Sequence, residues 1–317
     1  ERVELLMALE QQFQTILDEA AFAGAATVGD VRALLAGPSS DATRSTNESG
    51  LTRSPSALTD VGRPGGPSLP KRGTASDSQT DGPGSGPYLI DFPKWNRAPL
   101  PYWVRRASLP TWILPIGRVF ARVRTEGLEH LAGLEGPVVF AANHQSHMDT
   151  PVILMALPRT WRYATAVAMA KEFFTPHFHP AGYSTRQRVT NGLNYYLASL
   201  FFNAFPIPQR EAGARQTLRY IGQLFEEGQS LLIFPEGKRT MEGEINEFRA
   251  GIGMIGARLG VPVVPVRLVG ADRVLHQKAK FPRVGPVTVR FGAPIRLEGD
   301  DYAALARQVE AAVRALD

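Results

Sequence analysis

Three short apolar runs, each closed by a polar turn, constrain what this chain can fold into. They are Pro137-Val138-Val139-Phe140-Ala141-Ala142, Ser230-Leu231-Leu232-Ile233-Phe234 and Val261-Pro262-Val263-Val264-Pro265-Val266-Arg267-Leu268-Val269. Runs of this kind suit strands buried on both faces, as parallel strands are when helices cover a sheet from either side. Helical patterns stand between them, starting near 151–157, over about 212–227 with Leu218, Ile221, Leu224 and Phe225 on one face, and over 251–259. A shorter run, 167–174, reads as a strand leading to His177-Phe178-His179, and an apolar, aromatic stretch over 193–205 ends in Pro206-Ile207-Pro208-Gln209-Arg210. A strand over 287–292 and a helix over 302–316 close the chain. Such alternation predicts an α/β fold, a mixed sheet flanked by helices.

In an open sheet of that type, ligands bind in the crevice beyond the carboxyl ends of the strands. The first run delivers Asn143-His144-Gln145-Ser146-His147-Met148-Asp149 to that position. A histidine acting as general base needs a carboxylate on its far nitrogen to fix the tautomer and stabilise the imidazolium. Asp149, folded back by the turn, can supply it to His144, and it also stands where a carboxylate caps the free N–H groups of a starting helix. The second run delivers Pro235-Glu236-Gly237-Lys238-Arg239-Thr240, and Arg210 ends a third polar turn. A base, guanidinium groups and a carboxylate are the parts needed to hold a phosphorylated alcohol and deprotonate its hydroxyl.

Cysteine is absent, which excludes thiolate catalysis, disulfides and cysteine-based metal sites. No apolar run reaches the roughly 18 residues of a spanning helix. The chain starts Glu1-Arg2-Val3-Glu4, without initiator methionine or signal peptide, and reads as part of something longer. Charge divides it. Residues 1–36 carry a net −4 and the spacing of two amphipathic helices; residues 88–317 carry 28 basic and 19 acidic side chains, net +9. Between them, residues 37–87 are dominated by Ser, Thr, Gly, Pro and Asp and read as a disordered linker. The basic part suits anionic headgroups or phosphorylated substrates. Residues 100–124 mix Trp103, Trp112 and Phe120 with five arginines, as at a membrane interface. No nucleic-acid module signature accompanies them, and no nucleic-acid partner is expected.

The order Asn143-His144-x4-Asp149, Phe205-Pro206-Ile207-Pro208-Gln209-Arg210, Phe234-Pro235-Glu236-Gly237-Lys238-Arg239-Thr240 and Val261-Pro262-Val263-Val264-Pro265-Val266 resembles the glycerolipid acyltransferase family, lysophosphatidate type, over about residues 115–300. The resemblance implies a fatty acyl transfer from an acyl thioester, on CoA or an acyl carrier protein, to the hydroxyl of a lysophospholipid or glycerol phosphate. His144 falls on the family's base and Asp149 on the residue that orients it. Arg210 falls on a ligand of the acceptor phosphate, and Glu236, Gly237, Lys238, Arg239 and Thr240 on the segment lying against the acceptor. Pro265 falls in the motif linked to acyl-chain binding. No cofactor or metal is required, and a cytoplasmic, peripherally membrane-associated enzyme is expected. The second motif departs from the usual pattern around Arg210, which leaves the acceptor open. Residues 1–36 resemble the second half of an acyl carrier protein, without its phosphopantetheine serine. Two rival readings stand beside this one: a metal-dependent hydrolase using His144, His147 and Asp149, with His177 and His179 nearby, and a non-catalytic module docking to membrane or carrier.

Overall fold

The computed structural model describes residues 9, 19–25, 27–36, 92–208, 213–240, 244–276, 279 and 281–316. The expected linker, most of the first amphipathic pattern, and Arg210 lie outside the described residues. Near the N-terminus, α1 (Glu19–Gly24) and α2 (Val28–Ala36) bury Phe22 against Val31, Leu34 and Leu35. Thr27 and Asp30 start α2 with reciprocal bonds: Thr27 N–H donates to Asp30 Oδ2 at 2.8 Å and Asp30 N–H to Thr27 Oγ1 at 3.2 Å.

The arginine- and aromatic-rich stretch folds as α3 (Pro99–Ser108), a π turn over Leu109–Ile113, and α4 (Leu114–Phe120). Pro110 has no N–H to offer the preceding turn, and the wider π geometry is where a helix accommodates such a loss. Seven strands follow: β1 (Ala121–Glu126), β2 (Val139–Ala142), β3 (Thr165–Ala170), β4 (Ala204–Ile207), β5 (Ser230–Ile233), β6 (Val263–Val269) and β7 (Gly285–Phe291). They form one sheet in the order β1-β7-β6-β2-β5-β3-β4. From β6 to β4 all neighbours are parallel; β7 is antiparallel to β6 and carries β1 parallel beside it. The mixed sheet agrees with the sequence reading.

Helices cover both faces, which is why the central strands have no polar side. With α4 on one face lie α5 (Asp149–Ala156) and α6 (Thr185–Phe202), around a core that includes Leu114, Phe140, Ile153, Val264 and Phe291. The other face carries α7 (Ala214–Glu226), α8 (Gly251–Leu259) and α9 (Tyr302–Arg314) over Ile221, Leu224, Leu231, Ile252 and Val309. The five parallel strands therefore end along a common edge, and their following turns form the crevice.

Two boundaries differ from the sequence reading. The strand expected over 167–174 stops at Ala170, where its ladder with β4 runs out at Ile207, and Lys171–Phe174 turns as a 3₁₀ segment. The apolar stretch over 193–205 is not one element: α6 ends at Asn203, whose φ of 53° breaks the helix, and β4 begins one residue later. Asn is the non-glycine residue that most readily takes that left-handed conformation.

Candidate active site

The turn after β2 is fixed at its first residue. Asn143 completes a pair of bonds with Leu268 of β6, accepting its N–H at 2.7 Å and donating to its carbonyl at 3.1 Å. A side-chain amide thus extends the β2–β6 ladder and sets where the chain leaves the sheet. His144 comes next, its Nδ1 2.7 Å from Asp149 Oδ2. The same oxygen accepts the N–H of Gln145 at 2.6 Å and of Ser146 at 2.9 Å, and Asp149 is fully buried. A carboxylate facing Nδ1 assigns the proton to that nitrogen and leaves the lone pair on Nε2. The imidazole stacks on Phe234 at 4.3 Å and 25°, and its side chain keeps 20% exposure at the wall of a large cavity.

The turn after β5 holds the first turn in place. Glu236 Oε1 accepts the N–H of His144 at 2.7 Å, and Oε2 accepts the N–H of Asn246 at 2.8 Å. Burial pushes this carboxyl above its ordinary pKa, while the amide bonds pull the other way. Thr240 grips the other end of the same residue, donating its N–H at 2.8 Å and its hydroxyl at 3.0 Å to the His144 carbonyl. Both were expected against the acceptor; each also holds the main chain of His144 by hydrogen bonds. Gly237 has φ +69°, and a Cβ there would stand 2.6 Å from the Arg249 guanidinium packed over it. Asn246, which sequence reasoning missed, bonds to Glu236 through both its backbone N–H and its side chain.

The cavity has a volume of about 1160 Å³, and Lys238, Arg239 and Arg249 bring positive charge to it close to His144. Arg239 Nη1 lies 3.2 Å from His147 Nδ1. Burial lowers the Arg239 pKa, and burial together with the adjacent Arg239 charge lowers that of His147. The sequence-predicted residues His144, Asp149, Glu236, Gly237, Lys238, Arg239 and Thr240 are thus brought together, and Arg210 lies outside the described residues. Pro265 sits within β6, paired with Ala141, away from the cavity lining. His177 stacks on Tyr195 at 4.6 Å and does not join His147. Among the described residues no group of three or more His, Cys, Asp or Glu side chains is arranged to hold a metal ion.

Comparison with known proteins places these turns in a wider set. Residues 122–269 match the family model described as Acyltransferase. A chloroplastic 1-acyl-sn-glycerol-3-phosphate acyltransferase of Arabidopsis thaliana is 26% identical over 157 residues, 49% of this chain and 38% of the relative. Another, from Brassica napus, is 26% identical over 190 residues, 60% of this chain and 48% of the relative. The chain spans less than half the length of these two relatives. The crystal structure of the 1-acyl-sn-glycerophosphate acyltransferase of Thermotoga maritima aligns with a TM-score of 0.46 at 22% identity, covering 68% of this chain and 81% of that one. The matched segment contains both turns that meet at His144, and the family model and these relatives, to which the chain is similar, are acyltransferases.

Proposed function

We propose that the domain transfers a fatty acyl group from an acyl thioester, on CoA or an acyl carrier protein, to the hydroxyl of a lysophospholipid or glycerol phosphate. The observation that carries this reading is the His144 Nδ1–Asp149 contact of 2.7 Å, which turns a lone-pair nitrogen toward the cavity. Nε2 takes the hydroxyl proton as the acceptor oxygen attacks the thioester carbonyl. The tetrahedral intermediate collapses, the C–S bond breaks, and the imidazolium returns its proton to the departing thiolate, giving an ester and a free thiol. Asp149 stabilises the imidazolium between those two transfers. Lys238, Arg239 and Arg249 offer the acceptor phosphate a cationic wall, and none of these steps calls on a metal ion.

Membrane association belongs to the same reading. No helix among the described residues is long and apolar enough to cross a membrane. Leu100, Trp103, Trp112, Ile116 and Val119 nevertheless stand exposed along α3, the π turn and α4, an apolar ridge suited to lie on a lipid surface.

The test is acyl transfer from palmitoyl-CoA to lysophosphatidate, with and without chelator. His144→Ala should lose roughly 10²–10⁴-fold in kcat, the usual worth of a positioned base, with unchanged folding by circular dichroism, and Asp149→Asn should fall in the same direction. Chelator should change nothing. Near wild-type turnover in His144→Ala removes the base assignment; loss of activity on chelation returns the metal-dependent hydrolase reading.

A further inference from the structure

The cavity beside His144 is lined from both faces of the sheet. Successive residues of β3, Val167, Ala168 and Met169, all reach it, as do Ile233 at the end of β5 and Phe234 after it. Neighbouring residues of a strand point to opposite faces, so the cavity wraps around the sheet's edge. On one face its wall is Val167, Met169, Ala198, Phe202 and Ala204, side chains of the core beneath α6 or packed against it. On the other it is Ala168, Leu218, Ile233, Ile252 and Ile255, which pack with α7 and α8. His144 and Phe234 lie where the two lobes meet. A volume of about 1160 Å³ exceeds the roughly 300–1,000 Å³ of pockets holding one drug-sized ligand.

We propose that the cavity holds two alkyl chains at once, the acceptor's own chain in the α6 lobe and the donor's acyl chain in the α7–α8 lobe. This rests on the acyl-transfer reading. The reaction requires an acceptor hydroxyl and a thioester carbonyl to meet at Nε2, and a lysophospholipid brings an alkyl chain of its own. Two apolar lobes diverging from the base let both chains leave the reacting centre without crossing. The assignment of each follows from what lies behind the wall. The helix that contributes Ala198 and Phe202 also exposes Leu193, Tyr196 and Leu197, and its Phe201 meets Trp112 of the π turn edge-on at 5.2 Å. The α6 lobe is therefore separated by one helix from the apolar ridge of α3 and α4, the route for a chain drawn from a bilayer. The α7–α8 lobe runs against buried Ile252 and Ile255, an apolar wall away from the α3–α4 ridge that suits a saturated acyl tail delivered from water.

The experiment narrows one lobe at a time in the full chain, with Ala198→Trp for the α6 lobe and Leu218→Trp for the other; Ala198→Phe and Leu218→Phe serve if either tryptophan variant fails to fold. KM and kcat are measured for palmitoyl and hexanoyl chains, varied independently on donor and acceptor. Ala198→Trp should raise KM for the palmitoyl acceptor more than about tenfold, within the range that pocket shape discriminates. It should raise KM for hexanoyl acceptors far less, and leave donor chain preference as in the wild type. Leu218→Trp should shift donor preference to hexanoyl and leave acceptor preference alone. If both variants shift the same substrate, or neither shifts either while the wild type turns over, the two-lobe assignment falls and the acyl-transfer reading stands. A wild type inactive toward every combination takes both down.

Discussion

The carboxylate of Glu236 accepts two backbone N–H groups and is 2% exposed, so its effect on the reaction passes through the main chain of His144. We expect Glu236→Gln to leave one amide facing another amide and to cost about 1–3 kcal/mol of stability, with turnover falling because His144, the proposed base, is displaced. Burial also gives this residue a pH signature. Its pKa in the folded protein is raised, so just above the ordinary carboxylate range the folded state binds a proton that the unfolded chain has released. There the unfolded state binds fewer protons, and stability falls as pH rises until the folded carboxyl has ionised as well. Urea unfolding across that window should show a slope in the wild type that is smaller in Glu236→Gln; identical slopes would mean the carboxyl ionises in both states alike. The His144–Asp149 contact was legible from residue types, because the two stand five apart around a strand end. Which neighbours serve substrate and which serve the backbone was not, since Glu236 and Thr240 reveal their partners only when two distant turns are brought together.

At the scale of elements, the strands and helices of the parallel block were legible where apolar periodicity covers the whole element, as in α8 over Gly251–Leu259. They were not where half an element is polar. The first eight residues of α6, Thr185 to Gly192, carry only Val189 as a large apolar residue, so apolar spacing marks the helix only from Leu193. Its true start was nevertheless written as Ser184-Thr185-Arg186-Gln187, a capping box in which Ser184 Oγ accepts the Gln187 N–H at 3.3 Å and the Gln187 side chain accepts the Ser184 N–H at 2.9 Å. The other end of α6 is closed by a buried arginine from α3. Arg105 donates to the carbonyls of Leu200 at 2.9 Å and Ser199 at 3.4 Å, and also to that of Asn96 at 2.7 Å. Burial lowers its pKa to about 10, and the negative end of the helix is a favourable place for the charge. Arg105→Met keeps the stem but leaves these carbonyls without their donor, and should lower unfolding stability by about 2–4 kcal/mol. Arg105→Lys should recover only part, since a point ammonium cannot reproduce the planar fork. Chemical denaturation with both variants checks this; equal stability of Met and wild type would show the guanidinium bonds to be dispensable.

For the molecule as a whole, an apolar ridge and a strong positive charge occur in the same domain. The ridge of α3, the π turn and α4 exposes Trp103 at 62% and Ile116 at 54% of their surface, and Arg118, Arg122 and Arg124 lie exposed beside it. Residues 88–317 carry a net +9. Apolar insertion and attraction to anionic headgroups then act together, and they separate under salt. A basic side chain near an anionic surface contributes about 1 kcal/mol, a contribution that ions screen within roughly 10 Å at 0.1 M, whereas ring insertion is insensitive to ionic strength. Wild type should therefore sediment with anionic vesicles at low salt, lose part of that binding at high salt, and bind neutral vesicles weakly. Trp103→Ser combined with Ile116→Ser should abolish the salt-resistant part and keep the salt-sensitive part. Turnover of a hexanoyl donor with glycerol phosphate, neither of which must leave a bilayer, should be unchanged, because neither residue lines the cavity. If the double variant still binds neutral vesicles like the wild type, the ridge is not the lipid-facing surface, and the acceptor reaches the α6 lobe from another side.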